Sequence, residues 1–153
     1  MDDVYGAKAL LTLPASDPGG YQIIFELPEC TIRVGRLGPC RFAAGVYIYS
    51  GSALRGIRQR VLRHLRTEKR EHWHIDYVLP HGRILGVRYV ISHERLECSL
   101  HRAVIDVLGA NEPVPGFGAS DCRCSAHLAM LRRRLSPATI DRRLRGRTTS
   151  AGE

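Results

Sequence analysis

The stretch GVYIYSGSALRGIRQRVLRHLR, Gly45 to Arg66, decides the fold. Its first residues are apolar, β-branched or aromatic, which favours a strand over residues 45–49. The small, polar segment that follows reads as a turn. From residue 57 the period changes. Ile57, Val61, Leu62 and Leu65 fall on one face at helical spacing, so residues 57–66 read as an amphipathic helix. Arg60 and His64 lie one turn apart on the border of that face. Tyr47 and Tyr49 are two residues apart on the strand, so they face the same side of a sheet. A strand that turns directly into an arginine-rich helix belongs to an α+β layer.

Working outward, SDPGG at 16–20 is a turn by composition, and YQIIFEL at 21–27 reads as a buried strand. Residues 31–34 are its candidate hairpin partner. Residues 73–79 (WHIDYVL) fit helix or strand, and residues 84–91 fit a strand. Ser92 is a candidate N-cap for a helix to Leu108, with Leu96, Leu100, Ala103, Val104 and Val107 on its buried face, Glu97 on the border and Gly109 as terminator. PVPGFGAS at 113–120 is a loop, residues 126–135 are helical in pattern, and Pro137 opens a further short helix. The expected architecture is α+β, a small central and mainly antiparallel sheet flanked by helices. One domain is expected over residues 1–135, followed by a basic C-terminal tail, 136–153, with a disordered end.

The chain has 153 residues, enough for one domain with its own core. It carries 23 Lys and Arg against 15 Asp and Glu, a net charge of +8. That excess favours a polyanionic partner, nucleic acid before an acidic membrane surface. Lys8 and Lys69 are the only lysines, so the positive charge is guanidinium, suited to bidentate phosphate contacts. No apolar run reaches membrane-spanning length, and Met1-Asp2-Asp3 lacks the basic start of an export signal. A cytoplasmic protein without a membrane role is expected. Its five cysteines are an odd number and make a disulfide framework a poor reading.

Gly19-Gly20-Tyr21 opens the first long strand and Tyr49-Ser50-Gly51 closes another; Arg60 and His64 follow on a helix and Glu97 on a later one. This set resembles the GIY-YIG nuclease superfamily, in which two such tripeptides face each other on neighbouring strands. Closer still, the chain resembles the GIY-YIG-like DUF123 family through GSA at 51–53, HWHIDY at 72–77, Glu97-Cys98, and GFGASDC followed by CSAHL. The resemblance spans roughly residues 19–131. It implies metal-dependent endonuclease action on nucleic acid, DNA rather than RNA, with Tyr21, Tyr49, Arg60, His64 and Glu97 as catalytic residues. Gly20 and Ser50 stand where isoleucines are usual, and the segment between the two tripeptides is longer than in nucleases of the superfamily.

The residue types suit that chemistry. Phosphodiester hydrolysis needs an oriented water, charge neutralisation on the phosphoryl oxygens and help for the leaving oxygen. Mg²⁺ or Mn²⁺ is the expected cofactor, as one ion on Glu97, because Mg²⁺ commonly takes one or two protein carboxylates with water and phosphate oxygens. Arg60 would meet phosphate charge. Tyr21 and Tyr49 would orient water or, with lowered pKa, take its proton. His64 is an alternative base or a phosphate ligand. Arg55, Arg58, Arg63, Arg132, Arg133, Arg142 and Arg143 are candidate nucleic-acid contacts. The alternative is a nucleic-acid-binding module of the same fold without catalysis.

Two further clusters carry metal-ligand residue types. His72, His74 and Asp76 would share a face only on a strand, and a structural, hydrogen-bonded role suits the interleaved Trp73 and Ile75 better. Cys122, Cys124 and His127 would bind zinc if Cys98 or His101 added a fourth ligand; the competing reading is buried cysteines packing the last helix.

Overall fold

The structure, a computed structural model, describes residues 12–66, 70–71, 73–119 and 124–145. His72, Asp121, Cys122, Arg147 and the expected disordered end lie outside the described residues.

Among the described residues, six strands and four α-helices follow one another. They are β1 (Gly19–Leu27), β2 (Cys30–Arg33), β3 (Pro39–Phe42), β4 (Gly45–Ala53), α1 (Ile57–Leu65), α2 (His74–Val78), β5 (Arg83–Ile91), α3 (Glu97–Leu108), β6 (Leu128–Met130) and α4 (Pro137–Leu144). Four strands form an antiparallel sheet in the order β5-β1-β4-β6, and β2 and β3 form a separate ribbon. The fold is α+β. Among the described residues no helix is long and apolar enough to cross a membrane.

The apolar run of 21–27 becomes β1 because it is central and covered on both faces. Its register with β4 pairs Tyr21 with Gly51, Ile23 with Tyr49 and Phe25 with Tyr47. Paired residues share a face, so these aromatic residues form one core with Ile57 and Val61 of α1, Ile75 and Val78 of α2, and Phe42 of the ribbon. The alternate residues Ile24, Val46 and Ile48 pack on the other face against Val104 of α3 and Ile140 and Leu144 of α4. Gln22 is buried on that second face and satisfied, donating to the Ser50 hydroxyl at 3.0 Å and to the Leu100 carbonyl at 3.2 Å.

Three expectations are corrected. Residues 31–34 do not pair with β1. Both edges of β1 are taken by β4 and β5, so β2 pairs instead with β3. Residues 126–135 are not a helix. Leu128–Met130 form β6, because the outer edge of β4 offers backbone partners opposite Tyr47, Ile48 and Tyr49. This overrides the helical preference of Leu and Ala. Ser92 does not cap α3; its hydroxyl accepts the Glu94 N–H at 3.0 Å in a local turn, and the helix begins at Glu97. The short helix expected from Pro137 is present as α4. Ser136 caps α4 by accepting the Thr139 N–H at 3.1 Å, Pro137 sits in its first turn, and Ile140 and Leu144 are fully buried. The ambiguous segment 73–79 resolves as helix α2.

Candidate active site

The two tyrosines come from adjacent strands at the end of the sheet where β1 begins and β4 finishes. Tyr21 and Tyr49 have ring centroids 6.4 Å apart and are both almost wholly buried. Gly51 lies opposite Tyr21 in the register, and a Cβ there would stand 2.5 Å from the Tyr21 hydroxyl. Glycine at 51 is thus a requirement of the ring's position.

Glu97 reaches the same place from the opposite face of the sheet. Ser52 of β4 brings it there. Its hydroxyl accepts the Leu96 N–H at 2.9 Å and the Glu97 N–H at 3.1 Å, satisfying backbone donors at the start of α3. The same hydroxyl donates to Glu97 Oε2 in a short hydrogen bond. The other carboxylate oxygen pairs with Arg95 Nε at 3.2 Å. Arg60 arrives from α1, donating to the Ser52 carbonyl at 3.1 Å with its guanidinium 4.4 Å from the centroid of the Trp73 indole.

Tyr21, Tyr49, Arg60 and Glu97 line one small cleft, together with Gly51, Ser52, Trp73, Arg95, Gly118 and His127. It has room for about 60 Å³, enough for a couple of water molecules beside the groups that line it.

His64 stands behind the cleft. It is fully buried, and its Nε2 is 2.7 Å from the Tyr21 hydroxyl. Its Nδ1 lies 3.0 Å from Asp76 Oδ1. The carboxylate accepts a hydrogen bond from the Nδ1–H, which leaves Nε2 as the acceptor of the Tyr21 O–H. Asp76 is equally buried, and its second oxygen accepts from Arg63 Nη1 and the Trp73 N–H, both at 3.0 Å. A continuous chain therefore runs Asp76–His64–Tyr21 into the cleft. His64 as a direct phosphate ligand is corrected: Tyr21 lies between it and the cleft.

Burial pushes the Tyr21 hydroxyl well above the ordinary phenol range, Tyr49 adds to the shift, and Arg60 draws it only partly back. Tyr49 is raised as well, by burial first and then by the Asp76 charge. Burial thus works against a phenol with a lowered pKa: it favours the neutral form of both hydroxyls, which act here as hydrogen-bonding groups, Tyr21 towards His64 Nε2.

The expected nucleic-acid contacts are scattered. Arg63 is engaged by Asp76, donates to the Arg70 carbonyl at 2.8 Å and lies 4.5 Å from the Trp73 centroid, so it holds the fold together. Arg58 donates to the Leu13 carbonyl at 2.6 Å. Arg55 is exposed beyond the end of β4. Arg132, Arg133 and Arg143 gather around Leu108 and Gly109 at the far end of α3 from Glu97, a separation of about 18 Å for a helix of that length. Arg142 is exposed on α4. These arginines of the C-terminal region do not border the cleft. His74 and Asp76 do not converge either: His74 Nδ1 accepts the Gly118 N–H at 2.8 Å and so anchors the 113–119 loop.

Among the described residues, Cys98, Cys124 and His127 bring one ligand atom each within 4.8 Å of one another. Cys98 and Cys124 are joined by a disulfide, with Cα atoms 6.3 Å apart. This bridge forms where the first turn of α3 meets the segment leading into β6. Cys122, the remaining member of the expected zinc set, lies outside the described residues.

A family model described as "Domain of unknown function DUF123" matches residues 20–146. The chain belongs to the DUF123 family. No curated protein and no solved structure matches it. The DUF123 match contains every residue that lines the cleft, the Asp76–His64 pair behind it, and α4.

Sequence reasoning missed Ser52, Asp76, Trp73 and His127 as parts of this site. Only Ser52 left a legible signal, the small polar residue between the strand's glycine and alanine. The others become neighbours only through the fold.

Proposed function

We propose that this DUF123 chain is a metal-dependent endonuclease of GIY-YIG type that hydrolyses phosphodiester bonds in nucleic acid, DNA in preference to RNA. The observation that carries the reading is the meeting of Tyr21, Tyr49, Arg60 and Glu97 in one cleft, from four different elements. The net charge of +8 supports a polyanionic substrate.

The Glu97 carboxylate suits one hard divalent cation. It is a single acidic group at the cleft wall, and a Mg²⁺ site commonly uses few protein ligands and keeps its waters. Bound there, Mg²⁺ or Mn²⁺ supplies positive charge to the phosphoryl and leaving oxygens.

The remaining steps belong to the chain's own groups. Arg60, fixed by the Ser52 carbonyl, presents its guanidinium to a non-bridging phosphate oxygen. The Tyr49 hydroxyl orients a water. Tyr21 accepts that water's proton as its own passes to His64 Nε2, and Asp76 stabilises the imidazolium that forms. The relay avoids a free phenolate, which burial disfavours.

The second reading, a binding module without turnover, is favoured by the engagement of both Glu97 oxygens, one by Ser52 and one by Arg95. Incubation with branched, nicked and single-stranded DNA and RNA, with and without Mg²⁺ or Mn²⁺, separates the two. Cleavage that appears only with metal supports the nuclease. Salt-sensitive binding with intact substrate in every lane supports the module.

A further inference from the structure

We infer that Cys98, Cys124, His127 and His101 form a zinc site in the reduced protein, separate from the cation expected on Glu97. Three of the four ligand atoms already converge. Cys98 Sγ lies 3.4 Å from His127 Nε2, and Cys124 Sγ is the disulfide partner of Cys98. Two thiolates with two imidazoles are a common structural zinc set.

The fourth position is argued from an orphan. His101 is nine-tenths buried, and among the described residues its Nδ1 has no hydrogen-bond partner. A buried ring nitrogen without a partner calls for an explanation. His101 follows Cys98 by three residues on α3, so both project from the same side of the helix. It lines one cavity of about 250 Å³ with Cys98 and Cys124, and its ring centroid is 6.1 Å from that of His127.

The other nitrogen strengthens the assignment. His101 Nε2 donates to Glu112 Oε2 at 2.5 Å, and Glu112 Oε1 accepts from the Ser125 hydroxyl at 2.7 Å. The carboxylate fixes the tautomer that leaves the Nδ1 lone pair available. A histidine held by a carboxylate on one nitrogen and ligating with the other is the usual arrangement at zinc.

The disulfide and the metal exclude each other. A small dithiol reductant breaks the Cys98–Cys124 bond, gives two electrons to the protein sulfurs and leaves as its own cyclic disulfide. Zinc then replaces the two thiol protons, which pass to solvent. The site ties the start of α3 to the segment before β6, beside Glu97, and shares His127 with the lining of the cleft. It stands whether or not the cleft cleaves nucleic acid.

The test uses the full chain and the metal alone. The protein is reduced without oxygen, its reduction is verified by thiol titration, and it is stripped with chelator. It is then titrated with Zn²⁺, and separately with Co²⁺ as an optical reporter. One equivalent is expected to bind, with a thiolate-to-cobalt charge-transfer band of tetrahedral type, and the oxidised chain is expected to bind none. Cys98→Ser and Cys124→Ser should remove that band. Glu112→Gln should weaken zinc about 10–100-fold, and His101→Gln should weaken it at least as much, while Cys122→Ser should leave affinity unchanged. Circular dichroism checks that each variant is folded. A folded, reduced chain that takes up no metal overturns the site. Zinc retained in His101→Gln but lost in Cys122→Ser overturns the assigned fourth ligand.

Discussion

His64 Nε2 sits 2.7 Å from the Tyr21 hydroxyl, behind it and away from the cleft. The imidazole therefore acts on anything in the cleft through the phenol. Tyr21→Phe removes the link and with it one buried hydrogen bond, which should cost about 0.5–1.5 kcal/mol of stability. It should also lower cleavage more than Tyr49→Phe does. Urea denaturation and single-turnover rates measure the two effects. Equal rates in the two variants would remove the relay.

Asp76 is the anchor of that relay and has no exposed surface. Asp76→Asn leaves Arg63 without its counter-charge and disturbs the His64 tautomer. The partner Arg63 is about a quarter exposed, with 27% of its side-chain surface accessible, which places the expected loss near the lower end of the buried-pair range, about 3 kcal/mol. Arg63→Ala should cost less, because His64 and the Trp73 N–H still hold the carboxylate. Urea midpoints of both variants give the comparison.

Gly51 is set by a neighbour rather than by its own backbone. Gly51→Ala pushes a methyl group against the Tyr21 ring, with a cost of about 1–3 kcal/mol from overpacking. The displaced phenol should lose its bond to His64, so activity should fall further than stability alone explains. The double variant Gly51→Ala, Tyr21→Phe tests this: its activity should lie close to that of Tyr21→Phe alone.

The acid limb of stability has identifiable sources. Hydrogen bonds from Arg134 and then Arg83 hold the Glu26 carboxyl below its ordinary range. For Asp141, burial raises the pKa, but Arg145 and Arg88 outweigh it. Groups depressed in the folded state stabilise it fully above the ordinary carboxylate pKa, and that stability is lost as pH falls through the folded value. The urea midpoint should therefore decline below about pH 4. The double variant Arg83→Ala, Arg134→Ala should show a shallower decline, and an unchanged slope would contradict the assignment.

The sequence made the site's skeleton legible because much of it is local. The pairing of β1 with β4 follows from the resemblance carried by Gly19-Gly20-Tyr21 and Tyr49-Ser50-Gly51, and the proximity of Arg60 and His64 follows from helical spacing. What stayed hidden depends on distant contacts. Asp76 was read as hydrogen-bonded, but its partner is 12 residues away in a different helix. The cap of α3 comes from Ser52, 45 residues before Glu97, so a search for a nearby cap settles wrongly on Ser92. Leu128–Met130 carries a helical composition and becomes a strand because the β4 edge is open to it. Pro137 marked the start of α4, but its arginine density hid the packing of Ile140 and Leu144, which sit four apart on its buried face.

The account rests on Glu97 and Arg60 serving one reaction in one cleft. The most direct measurement compares wild type, Glu97→Gln and Arg60→Ala for Mg²⁺- or Mn²⁺-dependent cleavage of a single labelled DNA, with binding to the same DNA followed in parallel. Glu97→Gln keeps an acceptor for Ser52 but gives up the charge that would hold the cation. The account predicts metal-dependent product with wild type and loss of cleavage in both variants, with Glu97→Gln still binding the DNA. Undiminished cleavage by Glu97→Gln, or no cleavage by wild type across the full set of DNA and RNA substrates, would contradict it.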